Sequence, residues 1–132
     1  MTDKITFDLV TPERLLLSEG AEMVTIPGRE GDMGVMSGHM PLISTLRPGT
    51  IVVSGGDKGD GTYFVAGGFA EVTGAKLTVL AEDAVNLSEL DAAGVDARLA
   101  IAEKDLSQAR NDGDRARAQE LIDLLRNVRA QA

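Results

Sequence analysis

The chain has 132 residues, of which 43% are hydrophobic and 26% charged, so it can form the core of one ordinary domain or of a small domain with an appendage. It contains no cysteine, which excludes disulfide bonds and thiolate metal sites. The formal net charge of −8 argues against binding to nucleic acid or anionic lipid, since both need a basic surface. The first residues lack the apolar run of a signal peptide, and no stretch approaches the ~20 apolar residues that span a bilayer. We therefore expect any contact with a membrane to go through a partner protein.

Residues 1–86 read as strands and turns. Short apolar or alternating runs at residues 5–9, 23–26, 50–53, 63–66, 69–72 and 76–80 are rich in β-branched residues and are separated by glycine-containing turns. All four prolines of the chain also lie before residue 49. This pattern predicts an antiparallel β-sandwich or barrel.

Residues 87–132 contain no proline and have helical periodicity. The apolar residues follow two stripes, which are Val95, Leu99, Ala102, Leu106 and Ala109, and then Ala118, Leu121, Ile122, Leu125 and Val128. Ser88 and Asp91 resemble a capping box at the start of the first helix, and residues 110–113 interrupt the pattern. The sequence thus predicts an antiparallel two-helix hairpin after the sandwich. Because both stripes are narrow and rich in alanine, we expect the hairpin to need a further surface.

The stretch from residue 28 to residue 49 holds the single histidine of the chain, His39, and three of its five methionines. One hypothesis is a small enzyme or ligand-binding sandwich that uses His39 and the glycine-rich loop. Against it, the stretch lacks both a nucleophile motif and the lysine of a phosphate-binding loop. The glycines then serve tight, partly left-handed turns. The acids Glu30 and Asp32 beside flexible methionines favour a docking surface, although the methionines could equally fill the core.

The second helix carries Arg115, Arg126 and Arg129 within one arc beside its apolar stripe. These arginines predict either a solvated face or a basic strip that meets an acidic partner when the helix moves.

Several motifs together resemble the epsilon subunit of bacterial F-type ATP synthases, whose mitochondrial counterpart is called delta. They are the runs GDMGV at 31–35, GHMPL at 38–42 and LRPG at 46–49, with GGF at 67–69 and LTVLA at 77–81. The opening VTPE at 10–13 fits as well, so the resemblance covers the whole chain.

The resemblance implies an N-terminal β-sandwich, residues 1–86, and a C-terminal helical hairpin, residues 87–132. It implies a central-stalk subunit without catalytic residues, which binds the gamma subunit and the c-ring and couples proton flow to ATP synthesis. It also implies a peripheral position on the cytoplasmic face of the bacterial inner membrane. Carried over by position, Glu30, Asp32, Met33 and His39 would face the c-ring. The hairpin would be structural or would inhibit ATP hydrolysis, with Arg115, Arg126 and Arg129 meeting acids of the alpha and beta catalytic head.

One motif departs from the family. Some members bind ATP through an aspartate followed three residues later by an arginine, at the start of the first helix. Here Gly94 stands at that position after Asp91. A second aspartate, Asp96, is followed by Arg98, but one residue too early. Since a shift of one residue turns a side chain by ~100° around a helix, the aspartate and the arginine should not converge as the motif requires. We expect no cofactor, no bound ATP and no metal ion.

Overall fold

The computed structural model describes residues 3–131, and these residues divide into two compact units. The first unit ends at Leu87 and the second begins at Ser88. The division predicted from composition lay between residues 86 and 87.

Within the described residues, the first unit consists of ten strands. They are β1 (Ile5–Val10), β2 (Leu15–Ala21), β3 (Met23–Gly28), β4 (Gly31–Val35), β5 (His39–Leu46), β6 (Gly49–Ser54), β7 (Gly61–Val65), β8 (Gly68–Gly74), β9 (Lys76–Ala81) and β10 (Ala84–Asn86). All six predicted strands are present, at β1, β3, β6, β7, β8 and β9.

Alternation along the strands builds the core of this unit. In β1, for example, Ile5, Phe7 and Leu9 are fully buried and alternate with more exposed residues. The same pattern in β3, β6 and β9 adds Val24 and Ile26, Ile51 and Val53, and Leu77 and Val79 to one continuous hydrophobic cluster. The core is mostly aliphatic, as the low aromatic content of the sequence requires.

The strands are hydrogen-bonded in the order β10-β7-β6-β3-β5-β8-β9-β1-β2, with β4 on the other edge of β3. The predicted sandwich is confirmed, and its strand pairs are antiparallel with one exception: β1 and β9 run parallel, with Thr6 opposite Lys76 and Val10 opposite Leu80. A parallel pair needs a long connection, here the whole chain from β2 to β8, so local turn signals gave no indication of it.

The stretch predicted to be mostly turns contains two strands instead. β4 and β5 occupy residues 31–35 and 39–46, and turns remain at residues 29–30 and 37–38. β4 pairs with β3 and β5 pairs with β8, so tertiary pairing overrides the glycine and proline content. The register of β5 shifts between His39 and Leu42, at the position of Pro41, which has no amide hydrogen to donate.

The second unit is a helical hairpin of α1 (Ala92–Ser107) and α2 (Asp112–Gln131), preceded by a short 3₁₀ turn (Leu87–Glu89). The helices are antiparallel, because Arg129 near the end of α2 contacts Asp96 near the start of α1. The predicted stripes are confirmed: their buried members are Val95, Ala102, Ala118, Ile122 and Leu125. The predicted cap was wrong, since Ser88 lies in the 3₁₀ turn and Asp91 is the N-cap, accepting a 2.8 Å hydrogen bond from the Gly94 amide.

Candidate docking surface

The hairpin that joins β3 to β4 presents the acidic residues singled out in the sequence. Gly28 pairs with Gly31, so Arg29 and Glu30 form a two-residue turn between them, and Asp32 follows as the second residue of β4. We call residues 28–32 the docking turn. Gly31 has φ of +147°, a conformation that L-residues rarely adopt. The turn therefore needs this glycine for backbone geometry, as the sequence predicted, and not for binding phosphate.

Arg47, which follows β5, holds the docking turn. Its guanidinium donates to the Gly28 carbonyl oxygen at 2.5 Å and to Asp32 Oδ1 at 2.6 Å. Its backbone amide also donates to the Pro27 carbonyl oxygen at 3.0 Å. The end of β5 and the turn are thus tied by both backbone and side chain.

The two acids of the docking turn have different surroundings. The carboxylate of Asp32 is 66% exposed but bound to Arg47. The side chain of Glu30 is exposed and forms no ion pair with another residue between 3 and 131. Glu30 is therefore the acid of this turn that a cationic partner meets without displacing an internal contact.

The four residues predicted at the ring do not lie together. His39 and Leu46 are at opposite ends of β5, about 23 Å apart at ~3.3 Å per residue, and Leu46 is the end that pairs with Gly28 beside the docking turn. His39 instead pairs with Gly74 at the end of β8. Glu30 and Asp32 form one group, and His39 belongs to another with the exposed Met36 and Met40.

The methionines divide between the two roles considered for them. Met33 is partly buried and packs against the hydrophobic core. Met36 and Met40 are 49% and 79% exposed. One methionine thus fills the sandwich, while the other two are available to a partner.

His39 does not have the surroundings of a catalytic base. Its Nδ1 lies 2.8 Å from the carbonyl oxygen of Met40, the next residue, and no described carboxylate is hydrogen-bonded to the ring. A catalytic triad needs a carboxylate that orients the imidazole and a nucleophile within its reach. Residues 3–131 also contain no cluster of three His, Asp or Glu side chains placed to hold a metal ion. The geometry does not support the alternative of an enzymatic sandwich.

An apolar face that sequence reasoning missed lies on the outer side of β5, β8 and β9. Ile43, Phe69 and Leu80 are 72%, 57% and 54% exposed. Phe69 pairs with Leu80, and Ile43 pairs with Glu71, two residues along β8 from Phe69, so all three side chains are on one side of the sheet. We call these three residues the apolar face. The sequence did contain a signal, because each of the three is an apolar residue at an outward position of its strand. Strict alternation of a half-buried strand predicts a polar residue at such a position.

The proposed basic strip of the hairpin is engaged within the chain. Arg115 pairs with Asp112 at 2.8 Å, one turn earlier on α2. The other two bridge the helices, with Arg129 Nε 3.0 Å from Asp96 and Arg126 Nη2 3.9 Å from Glu103. All of these groups are largely exposed, so the strip can meet another partner only by exchanging weak contacts.

Asp91 and Arg98, the two residues compared with the ATP motif, flank Gly94. A Cβ built on Gly94 would lie 3.2 Å from Asp91 Oδ1 and 3.7 Å from Arg98 Nη1. However, Asp91 caps the helix and Arg98 donates a long 3.4 Å hydrogen bond to the Gly94 carbonyl oxygen. The second aspartate, Asp96, binds Arg129. That the chain binds no ATP remains a prediction.

Two carboxylates of the sandwich have lowered pKa values for structural reasons. A hydrogen bond from the Lys4 ammonium, 2.6 Å away, lowers the pKa of Asp57, and the Gly20 amide adds to the effect. A hydrogen bond from the Ser18 hydroxyl, followed by the charge of Lys76, lowers the pKa of Asp8. Asp57 fastens the β6–β7 loop to β2, and Asp8 ties β1 to its neighbours on both sides. Both groups serve the fold and are not part of the docking turn.

Comparison with known proteins assigns the family. Residues 4–87 match the model of the "ATP synthase, Delta/Epsilon chain, beta-sandwich domain". The chain is 54% identical to the ATP synthase epsilon chain of Parvibaculum lavamentivorans over 98% of both chains. It is 48% identical to the ATP synthase epsilon chain of Rhodospirillum rubrum over 89% of this chain and 88% of the relative.

Solved structures agree. A chain of the Euglena gracilis mitochondrial ATP synthase, in the structure of its OSCP/F1/c-ring part, matches with a TM-score of 0.71 and 26% identity, covering 99% of this chain and 82% of that one. A chain of the Tetrahymena thermophila mitochondrial ATP synthase central stalk and c-ring shares the fold, with a TM-score of 0.69 at 14% identity, over 97% and 98% of the two chains. No helix among the described residues is long and apolar enough to cross a membrane. The chain belongs to the family of ATP synthase epsilon chains, which are non-catalytic accessory subunits of the ATP synthase.

Proposed function

We propose that this chain is a rotor subunit of the central stalk, which docks the gamma subunit to the c-ring so that proton-driven rotation is coupled to ATP synthesis. The observation that carries the proposal is that one rigid sandwich presents two exposed surfaces of different chemistry, the charged docking turn and the apolar face. A subunit that joins two partners requires two such surfaces. The solved structure of the Euglena gracilis relative, which contains F1 and the c-ring, supports the same assignment.

The docking turn is the surface proposed for the c-ring. Glu30 and the second oxygen of Asp32 are exposed acceptors for basic groups on the ring, and Met33 supports the turn from the core side. His39, with Met36 and Met40, would extend the contact at the other end of β5. If all four predicted residues face the ring, the contact must reach along the length of that strand.

The apolar face is the surface proposed for gamma. Groups of exposed apolar residues mark interaction sites, and three large side chains lie here on one side of the sheet, Phe69 directly opposite Leu80 and Ile43 diagonal to Phe69. The place of action would be the cytoplasmic face of the bacterial inner membrane, with attachment to the membrane only through the complex.

Charge reversal separates the two surfaces. Glu30→Lys should lower ATP synthesis in the reconstituted enzyme while ATP hydrolysis by the head is kept, because rotation would be uncoupled and catalysis would not. Phe69→Asp should instead reduce recovery of gamma with the chain. Asp105→Lys, matched to Glu30→Lys, and Ile101→Asp, matched to Phe69→Asp, change exposed residues of the hairpin and serve as controls. If Glu30→Lys left synthesis unchanged, the ring contact at this turn would be refuted.

We infer a second role for the hairpin, inhibition of ATP hydrolysis by the head. Its support is that few apolar side chains are buried between α1 and α2 and that the ion pairs bridging the helices are exposed. Both features keep the free energy needed to separate the helices small. Removal of residues 88–132 from the assembled enzyme should raise hydrolysis. An unchanged rate would leave the hairpin with a structural role only.

A further inference from the structure

We propose that Arg47 is the positioning residue of the docking turn and that the two acids of the turn have different roles. Asp32, bound to Arg47, orders the turn, and Glu30 supplies the charge that the partner binds. The inference rests on the proposed function only for its last step, contact with the ring. The first step, ordering of the turn by Arg47, concerns the chain alone.

The geometry of Arg47 carries the first step. One nitrogen of its guanidinium binds the Gly28 carbonyl oxygen on one side of the turn, and another binds Asp32 on the other side. The planar fork of an arginine fixes both acceptors at once, which a lysine ammonium does with less geometric definition. Arg47 therefore closes the two-residue turn at its base.

The charges carry the second step. The guanidinium of Arg47 lies 2.6 Å from Asp32 Oδ1, so the charge of that carboxylate is balanced inside the chain. Glu30 lies at the tip and forms no ion pair with another residue between 3 and 131. A basic group on a partner thus finds at Glu30 an exposed carboxylate that no internal ion pair engages, on a turn closed by the hydrogen bonds of Arg47.

Arg29 offers a matched control within the same turn. It carries the same charge as Arg47 and is exposed, and within the part of the chain that the structure describes only its backbone amide is bonded, by a 3.0 Å hydrogen bond to the Thr45 carbonyl oxygen. Arg29→Gln removes one positive charge from the docking turn, and Arg47→Gln removes one from the residue that contacts it. They differ in whether a clamp is lost.

Turn order in the free chain is measured first, by backbone ¹⁵N relaxation. Arg47→Gln should lower the order parameters of residues 29–32 from about 0.85, the value of rigid backbone, towards 0.6. Arg47→Lys should restore part of this order, because it keeps the ion pair to Asp32, and Arg29→Gln should leave the values unchanged. If Arg47→Gln leaves the order parameters unchanged, as Arg29→Gln should, the backbone hydrogen bonds alone order the turn. The inference is then overturned, independently of any contact with the c-ring.

Coupling in the reconstituted enzyme is measured second, at two salt concentrations. Glu30→Gln should reduce coupled synthesis several-fold with the turn still ordered, and more at low salt than at high salt, because exposed charges are screened. Arg47→Gln should reduce coupling and order together. The Arg47→Gln, Asp32→Asn double variant should be no worse than Arg47→Gln alone, since Asp32→Asn removes a contact that Arg47→Gln has already broken.

The outcomes distinguish the two proposals. If neither Glu30→Gln nor Arg47→Gln changes coupling while the turn loosens in the latter, the ring contact fails and only the clamp stands. If Glu30→Gln uncouples and Arg47→Gln does not, the ring contact stands and the positioning role of Arg47 is overturned.

Discussion

The sandwich unit and the helical hairpin are built from similar aliphatic residues but bury them to different extents. The sandwich encloses one continuous cluster in which Phe7, Ile26 and Leu77 are fully buried. The hairpin buries few side chains, and two of them are alanines, Ala102 and Ala118. Since stabilisation scales with the apolar area removed from water, most of the folding free energy belongs to the sandwich.

The contacts between the two helices have the same character. The ion pairs that bridge α1 and α2 are exposed to solvent, and such pairs each contribute about 0–1 kcal/mol. The sandwich is thus the more firmly packed unit, whereas the helices of the hairpin are joined by few buried side chains and by weak, exposed ion pairs. This contrast is the physical basis for giving the units different roles.

The largest expected effect tests the sandwich core. Phe7→Ala removes a fully buried aromatic side chain from β1 and should lower the free energy of unfolding by about 3–5 kcal/mol. Urea denaturation measures this, and Phe69→Ala, on the apolar face, should cost less than about 1 kcal/mol. Equal effects from the two substitutions would contradict the difference in burial.

The next effect tests the hairpin. Ile122→Ala leaves a cavity in the seam between α1 and α2 and should cost about 2–3 kcal/mol, at the low end for isoleucine because a thin seam can collapse around it. Amide hydrogen exchange should show faster opening of α2 while the sandwich strands keep their protection. Ile101→Ala, at an exposed position of α1, is the matched control. Equal loss of protection in both units would show that they unfold as one.

Elements with a clear local pattern could be predicted from the sequence, and elements without one could not. β1 was predictable because Ile5, Phe7 and Leu9 alternate with polar residues in a purely local pattern. β2 was missed because three leucines at residues 15–17 run together and the buried Glu19 stands where a core position is expected. The helices were predictable from their stripes, but Ser88 and Asp91 are equally good caps by composition, and the structure has Ser88 in a 3₁₀ turn and the cap at Asp91.

For the docking surface, the acids were predictable and their organisation was not. Glu30 and Asp32 stand out locally, but the clamp from Arg47 joins residues 15 positions apart. Likewise, the distance between Asp32 and His39 depends on strand pairing: β4 runs away from the turn beside β3, and β5 returns to Gly28 only at Leu46, so His39 lies at the far end. Contacts between distant residues depend on topology, which a single sequence encodes only through its whole fold.

A smaller effect tests the contacts between the helices. Arg129→Gln removes the 3.0 Å pair with Asp96 and should cost about 0.2–1 kcal/mol of hairpin stability, because both groups are exposed. A double-mutant cycle with Asp96→Asn isolates the pair, and its coupling should largely vanish at 1 M salt. Arg110→Gln, in the loop between the helices, is the control. A coupling that persisted at high salt would mean that the pair is shielded and that the hairpin is more firmly closed than its exposure implies.

The smallest effect tests whether acid weakens the sandwich through a single strand contact. Asp8 accepts a 2.7 Å hydrogen bond from Ser18 on β2 and lies 3.3 Å from Lys76 on β9, so it ties β1 to both neighbours. These contacts hold its pKa below the ordinary value of 3.8. The stabilisation is therefore complete well above about pH 4 and is lost as the pH falls through the lowered pKa, where the carboxylate is protonated in the folded state.

Asp8→Asn should be less stable than the parent chain at pH 7, and this difference should shrink as the pH falls towards 2. Urea denaturation of the sandwich across that range measures it, and Ser18→Ala should give a partial version of the same change, since the Ser18 hydroxyl is the main cause of the lowered pKa. A constant difference between Asp8→Asn and the parent at all pH values would show that Asp8 acts through packing. The contribution of its charge to the β2-β1-β9 junction would then be nil.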